Sequence, residues 1–158
     1  MDNTLYIMVG LPGSGKSTYA TEFIKNQQVE YLSSDSLRAV FGKDESDQSV
    51  TPKVFSHIKT KVDEYLRDNK NVLVDATSVN RKERSDYINT AKKYGSKVVA
   101  VVFKMDRNGL IARNKKRGDE GGRVVPDWVI DKMLNKFEEP DFNEGIDVII
   151  YVWKTAKN

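Results

Sequence analysis

Apolar residues fall in two alternating patterns along the chain. Short unbroken runs occur at "LYIMV" (5–9), "NVLVDA" (71–76), "KVVAVVF" (97–103) and "DVIIYVW" (147–153), with a weaker one at "VEYLSS" (29–34). Each is strand-sized and rich in β-branched residues, as strands buried on both faces are. Between them lie stripes spaced three and four apart. "GKSTYATEFIKNQ" places Tyr19, Phe23 and Ile24 on one face, and "TPKVFSHIKTKVDEYLRDN" lines up Val54, Ile58, Val62, Tyr65 and Leu66 behind Pro52 in the first turn. "DSLRAVFG" predicts a short helix ending at Gly42, and Asn80 with Glu83 opens a helix that stops at Gly95. "RNGLIARNKKR" is helical and basic, "GDEGG" is a flexible loop, and "PDWVIDKMLNKFEEP" is a helix between two prolines. Trp128 and Trp153, among apolar neighbours, are expected in the core; His57, one residue before Ile58, belongs at the surface or a boundary.

Five strands separated by helices imply a parallel sheet wound right-handedly, with helices on both faces: an α/β three-layer sandwich. The 158 residues suit a single domain spanning 1–158, and no linker, repeat or low-complexity tract divides them. In such sheets ligands sit beyond the carboxyl ends of the strands. The residues that end these strands should therefore share one rim.

Composition narrows the chemistry. Hydrophobic residues are 39% and charged residues 31%, and no apolar run reaches membrane-spanning length, so no membrane partner is expected. There is no cysteine, which excludes disulfides, thiol nucleophiles and thiolate zinc, and a single histidine excludes histidine triads. Without a basic leader at the N-terminus, a cytoplasmic location is the expectation. The net charge of +3 does not itself announce a nucleic-acid binder. Its distribution is uneven, with seven Lys or Arg against three acids over 104–123 and two against seven over 127–147.

"VGLPGSGKST" carries the strongest motif. Gly10, Gly15, Lys16 and Ser17 meet G-x-x-x-x-G-K-[ST], between a strand and a helix. Glycines let backbone N–H groups converge on phosphate oxygens, and the helix N-terminus adds partial positive charge. Gly13, Ser14, Gly15, Lys16, Ser17 and Thr18 are thus the candidate ATP cradle, with Lys16 reaching the β- and γ-phosphates and Ser17 a ligand of magnesium (Mg2+). Asp75, at the end of a buried strand, stands where such proteins place the acid that holds the metal; the alternative is a cap on the turn before Asn80.

Two further pairs suggest where the phosphate goes. Asp35 and Arg38 are three apart at the start of a helix, near the same rim. A carboxylate there can orient an acceptor hydroxyl and take its proton, while an arginine can fork onto an acceptor phosphate. The plain alternative is a cap and a surface residue, since Ser33, Ser34 and Asp35 all cap well. Arg113 and Arg117 are four apart on the basic helix, which could close over a nucleotide and neutralise the transferring group, or could be a solvated face. Arg123 is a weaker candidate beyond the glycine loop.

Taken in order, "GLPGSGKST", Asp35 with Arg38, "VLVDAT" and "ARNKKRG" followed by "VP" and a helix resemble the P-loop kinases related to phage polynucleotide 5′-kinase. The resemblance implies a P-loop NTPase fold with a helical lid at about 107–125. It also implies ATP and magnesium at Lys16 and Ser17, and Asp35 as general base on a 5′-hydroxyl. Arg38 would hold the phosphate on the acceptor's 3′ side, and Arg113 and Arg117 would form the lid, the second touching the transferred phosphate. The catalytic set is then Lys16, Asp35 and Arg117. The loop between Gly118 and Pro126 is longer than in the phage enzyme, and no aspartate-rich phosphatase segment follows "DVIIYVW". The expected function is an ATP-dependent kinase whose acceptor is a nucleic-acid 5′ end, in DNA or RNA. The alternatives are a kinase for a small-metabolite hydroxyl and a nucleotide-binding switch, although "NKKR" ends in Arg117 where a GTPase base reader needs aspartate. The oligomeric state is left open.

Overall fold

A computed structural model describes residues 2–12, 14–121 and 124–153. Five strands run β1 (Thr4–Val9), β2 (Glu30–Ser33), β3 (Val72–Asp75), β4 (Lys97–Lys104) and β5 (Val148–Trp153). Six helices connect them: α1 (Lys16–Asn26), α2 (Ser34–Phe41), α3 (Thr51–Arg67), α4 (Arg81–Lys93), α5 (Arg107–Asp119) and α6 (Asp127–Lys136). Single 3-10 turns precede α3 and β5, at Gln48–Val50 and Phe142–Glu144. All pairings are parallel, in the order β2-β3-β1-β4-β5. The expected α/β sandwich with a five-stranded parallel sheet is what the chain forms.

The unbroken apolar runs are explained by burial on both faces. One face of the sheet (Leu5, Ile7, Val9, Val74, Ala100, Val102) packs on Val54, Ile58, Val62 and Leu66 of α3 and on Tyr87, Ile88 and Ala91 of α4. The other (Met8, Leu73, Val99, Val101, Phe103) packs on Ala20, Tyr19 and Phe23 of α1. Ile24, expected beside them, is largely exposed. A third cluster lies beyond the strand ends, where Leu11 and Val79 meet Leu110 of α5, Val125 and Ile130 of α6. It seats α5 and α6 against the loop that follows β1.

Local signals account for the helix ends. Ser33 caps α2 by accepting the Ser36 N–H, Asn80 caps α4 by accepting the Glu83 N–H, and Asp106 caps α5 by accepting the Gly109 N–H. Glu83 reaches back to the Val79 N–H at 2.9 Å, one residue beyond the usual capping-box target. The loop expected from Gly118 starts later, because α5 continues to Asp119; α6 stops at Lys136, before the second proline. Both tryptophans contradict the core expectation: Trp128 is 67% exposed and Trp153 73%. Trp128 lies on the face of α6 opposite Ile130, and Trp153 ends β5, an edge strand with no neighbour on its outer side. His57 is half-buried, edge-on to Phe41, as a boundary residue should be. Among the described residues no helix is long and apolar enough to cross a membrane.

Candidate active site

The register of the sheet brings the site together. Asp75 pairs with Met8 on one side and with Ser33 on the other, so the ends of β1, β2 and β3 are level. The chain leaving β1 turns over this rim. Its Gly10 N–H donates to the Thr77 carbonyl at 3.0 Å, tying the phosphate loop to the segment after Asp75. Gly10 has to be glycine, since a Cβ there would stand 2.7 Å from Ser14 Oγ and 2.9 Å from Phe103 Cβ. Gly15 takes the left-handed conformation (φ 99°) immediately before α1. Gly13 and Arg123 lie outside the described residues.

The loop is built to receive an anion. Lys16 Nζ bends back to donate to the carbonyls of Gly10 and Leu11, at 2.9 and 3.1 Å. Ser14 Oγ is buried inside the loop without a hydrogen-bond partner among the described residues, a cost a native fold seldom leaves unmet unless a ligand meets it. A nucleotide's phosphates fit both observations. Ser17 is exposed at the first turn of α1 and lines the adjoining cleft, whereas Thr18, also exposed, does not line it.

That cleft, about 340 Å³ of space open to solvent, has Lys16, Ser17, Asp35, Asp75 and Arg117 in its walls. Five residues singled out from sequence, spread over a hundred positions, thus face one volume. Asp75 is buried, and burial pushes its carboxyl above the usual aspartate range; the Lys16 ammonium, the Tyr31 hydroxyl and the Arg117 guanidinium pull it back. Among the described residues its carboxylate bonds to Tyr31 and to no group of the turn before Asn80, so it does not cap that turn. A hydroxyl and a carboxylate, Ser17 and Asp75, on one cleft form an oxygen donor set suited to magnesium, which takes few protein ligands and shares the rest with water and phosphate.

In the same cleft, Asp35 occupies the first turn of α2 and Ser33 is the cap, so the carboxylate is not spent on capping. Arg38 donates to Asp35 Oδ1 at 3.0 Å, is only 6% exposed, and lies 6.0 Å from the Phe55 ring centroid. A guanidinium buried this deeply is not the surface residue of the plain alternative. On α5, Arg117 reaches the cleft, while Arg113, one turn earlier, is half-buried and outside its wall. Between them the buried Asn114 side chain accepts the Val125 N–H at 3.0 Å and donates to the Val125 carbonyl. This two-way bond closes the loop after α5 back onto the helix.

Sequence reasoning missed two groups besides Asn114. Tyr31, on β2, donates its hydroxyl to Asp75 Oδ2, and burial together with the Asp75 charge raises that hydroxyl well above the ordinary tyrosine range. The signal available was its position two residues before Ser33, on the sheet face that carries Asp75. Arg84 of α4 is fully buried. It forks onto Glu144 (2.8 and 3.1 Å) and donates to the carbonyls of Ser78 (2.9 Å) and Glu138 (3.0 Å). Inside the charged run "RKERSD" nothing marks it out.

Comparison with known proteins places the chain in a family. The family described as AAA domain matches residues 5–140. The L-seryl-tRNA(Sec) kinase of Methanococcus maripaludis is 30% identical over 148 residues, which cover 86% of this chain and 53% of that protein. A chain of the Pnkp1/Rnl/Hen1 RNA repair complex is 28% identical with a TM-score of 0.75, over 85% of this chain and 44% of that one. The chain thus spans about half the length of these two relatives. Kti12 of Chaetomium thermophilum, solved with ADP-AlF3, shares the fold over 94% of this chain and 88% of its own, at 20% identity and a TM-score of 0.69.

Proposed function

The chain belongs to the AAA domain family as a P-loop kinase domain, and from that premise we propose that it transfers the γ-phosphate of ATP to the 5′-hydroxyl of a polynucleotide. The observation that carries the reading is Asp35 in the wall of the cleft that Lys16 and Ser17 also line, joined at 3.0 Å to a buried arginine, Arg38, that is not itself in that wall. Asp35 orients the acceptor hydroxyl and accepts its proton as the new oxygen–phosphorus bond forms. Arg38 offers a fixed cation to a phosphate on the acceptor's 3′ side, and Asp35 is released from it as that phosphate docks. Lys16 leaves the loop carbonyls for the β- and γ-phosphates, and Arg117 neutralises charge on the group in flight from the lid side. Arg113 binds the nucleotide from the same helix. Magnesium would be held by Ser17 and Asp75 and would supply positive charge that offsets the charge of the phosphates. ADP leaves with the charge of the broken bond. Two relatives near 30% identity, a tRNA kinase and a chain of an RNA repair complex, are named for RNA, which supports an acceptor borne on nucleic acid, although a third at 30% is named a transcription factor.

A second reading, a small-metabolite hydroxyl as acceptor, is favoured by the ion pair itself, because holding Asp35 is a task Arg38 performs without any acceptor phosphate. Labelled phosphate transfer from ATP separates the two, using 5′-hydroxyl DNA and RNA oligonucleotides, 3′-nucleotides and a metabolite panel. Asp35→Ala should abolish transfer while ATP still binds, and Arg38→Ala should chiefly raise KM for the acceptor. Robust transfer to a metabolite with none to any nucleic-acid end would overturn the polynucleotide reading.

A further inference from the structure

We infer that Tyr31 is the positioning residue for the metal acid: its hydroxyl holds Asp75 Oδ2 and so turns the other carboxylate oxygen toward the cleft beside Ser17. The inference rests on the reading of Asp75 as the residue that holds magnesium. Register makes the contact possible. Tyr31 pairs with Leu73 and Ser33 pairs with Asp75, so Tyr31 sits one two-residue step below Asp75 on the same face of the adjacent strand. That step is roughly 6.6 Å along the strand, a diagonal that a long aromatic side chain spans. A shorter polar residue at 31 would not reach.

Packing does not explain the side chain. Tyr31 is 37% exposed and belongs to none of the three apolar clusters, unlike Tyr6, Tyr19 and Phe23 on the same side of the sheet. What places its ring is the bond to Asp75. The carboxylate has a corresponding need. The last torsion of aspartate is broad, so a buried carboxylate requires a directional donor to settle its plane. The Lys16 and Arg117 charges act on Asp75 through the field, without a hydrogen bond to it among the described residues, whereas Tyr31 donates to one named oxygen. The strand at the sheet edge thereby sets the geometry of the metal side of the site.

The test compares Tyr31→Phe, Asp75→Asn and the double variant with the parent. Mn2+ is titrated by electron paramagnetic resonance in the presence of a non-hydrolysable ATP analogue. Nucleotide affinity without metal and the melting temperature are measured alongside. Tyr31→Phe keeps the ring and loses only the hydroxyl, so the Mn2+ dissociation constant should rise about tenfold, the scale of lost partners of metal ligands. Metal-free nucleotide affinity should stay at the parent value, which a merely structural role would not allow, and the melting temperature should fall only as far as one lost hydrogen bond to a buried carboxylate explains. The double variant should bind Mn2+ no more weakly than Asp75→Asn alone, because Tyr31 acts through Asp75. An unchanged Mn2+ affinity in Tyr31→Phe beside a loss in Asp75→Asn overturns the inference and spares the role of Asp75. A double variant clearly weaker than Asp75→Asn also overturns it. No loss in Asp75→Asn removes the metal role of Asp75, and the inference with it.

Discussion

Glu144→Ala would remove the counter-charge of the most deeply buried cation in the fold. Its carboxylate receives Arg84 Nε–H at 2.8 Å and Nη2–H at 3.1 Å, and also the Asp141 N–H at 2.9 Å. Arg84 is 0% exposed and the Glu144 side chain 5%, so water cannot take over the vacated bonds. The guanidinium would keep the Ser78 and Glu138 carbonyls but stand as an uncompensated buried charge. Breaking a buried pair from one side costs about 3–5 kcal/mol. Such a loss is a large part of the ~5–15 kcal/mol that holds a domain of this kind together. At about 2–4 °C per kcal/mol for a chain of this length, the melting temperature should fall by roughly 6–20 °C. Urea unfolding followed by far-ultraviolet circular dichroism is the suitable assay, since both tryptophans are exposed and report poorly on the core. Asp131→Ala is the matched control. It breaks the equally forked Arg107–Asp131 pair, whose side chains are 50% and 43% exposed, and its effect should be small because solvent screens that pair. Equal losses in the two variants would refute the argument that burial gives the Arg84 pair its weight.

Asn114→Ala should leave the buried Val125 N–H and carbonyl without partners, a cost of roughly 1–3 kcal/mol for each group. Hydrogen exchange at the Val125 amide should quicken while amides of β1 and β4 keep their protection. Gly145→Ala should lower the urea midpoint by an amount equivalent to about 1–3 kcal/mol. The residue sits at φ 101°, and a Cβ there would meet Lys92 Cε at 2.8 Å and Ile88 Cγ2 at 3.0 Å. Lys92 can move aside, but Ile88 is packed in the core.

What the sequence made legible is what local patterning governs. A strand of a parallel sheet, covered on both faces, must be apolar throughout, so β1, β3 and β4 announce themselves. The phosphate loop is similarly self-contained, because its glycines, lysine and serine follow one another along the chain. Asp35 and Arg38 were visible as a pair through helical spacing, yet only the fold removed the plain alternative, by making Ser33 the cap and burying Arg38. Tyr31 and Arg84 escaped notice because their partners lie 44 and 60 residues away, and register rather than spacing brings them together. Trp128 and Trp153 misled for the opposite reason. Their neighbours in sequence are apolar, but one faces away from the core side of α6 and the other ends an edge strand.

The strand order has a consequence in time as well as in space. β1 carries the phosphate loop and is made first, yet its partners are β3 at 72–75 and β4 at 97–104. During synthesis the loop therefore waits, unsupported, until residue 104 has emerged and the two flanking strands can close on β1. Pairings over such separations are slow to form, since the chain must be ordered before the contacts repay it. Completion of the phosphate loop's support would thus wait on the assembly of the sheet centre, after α1 to α4 have been made and before α5 and α6.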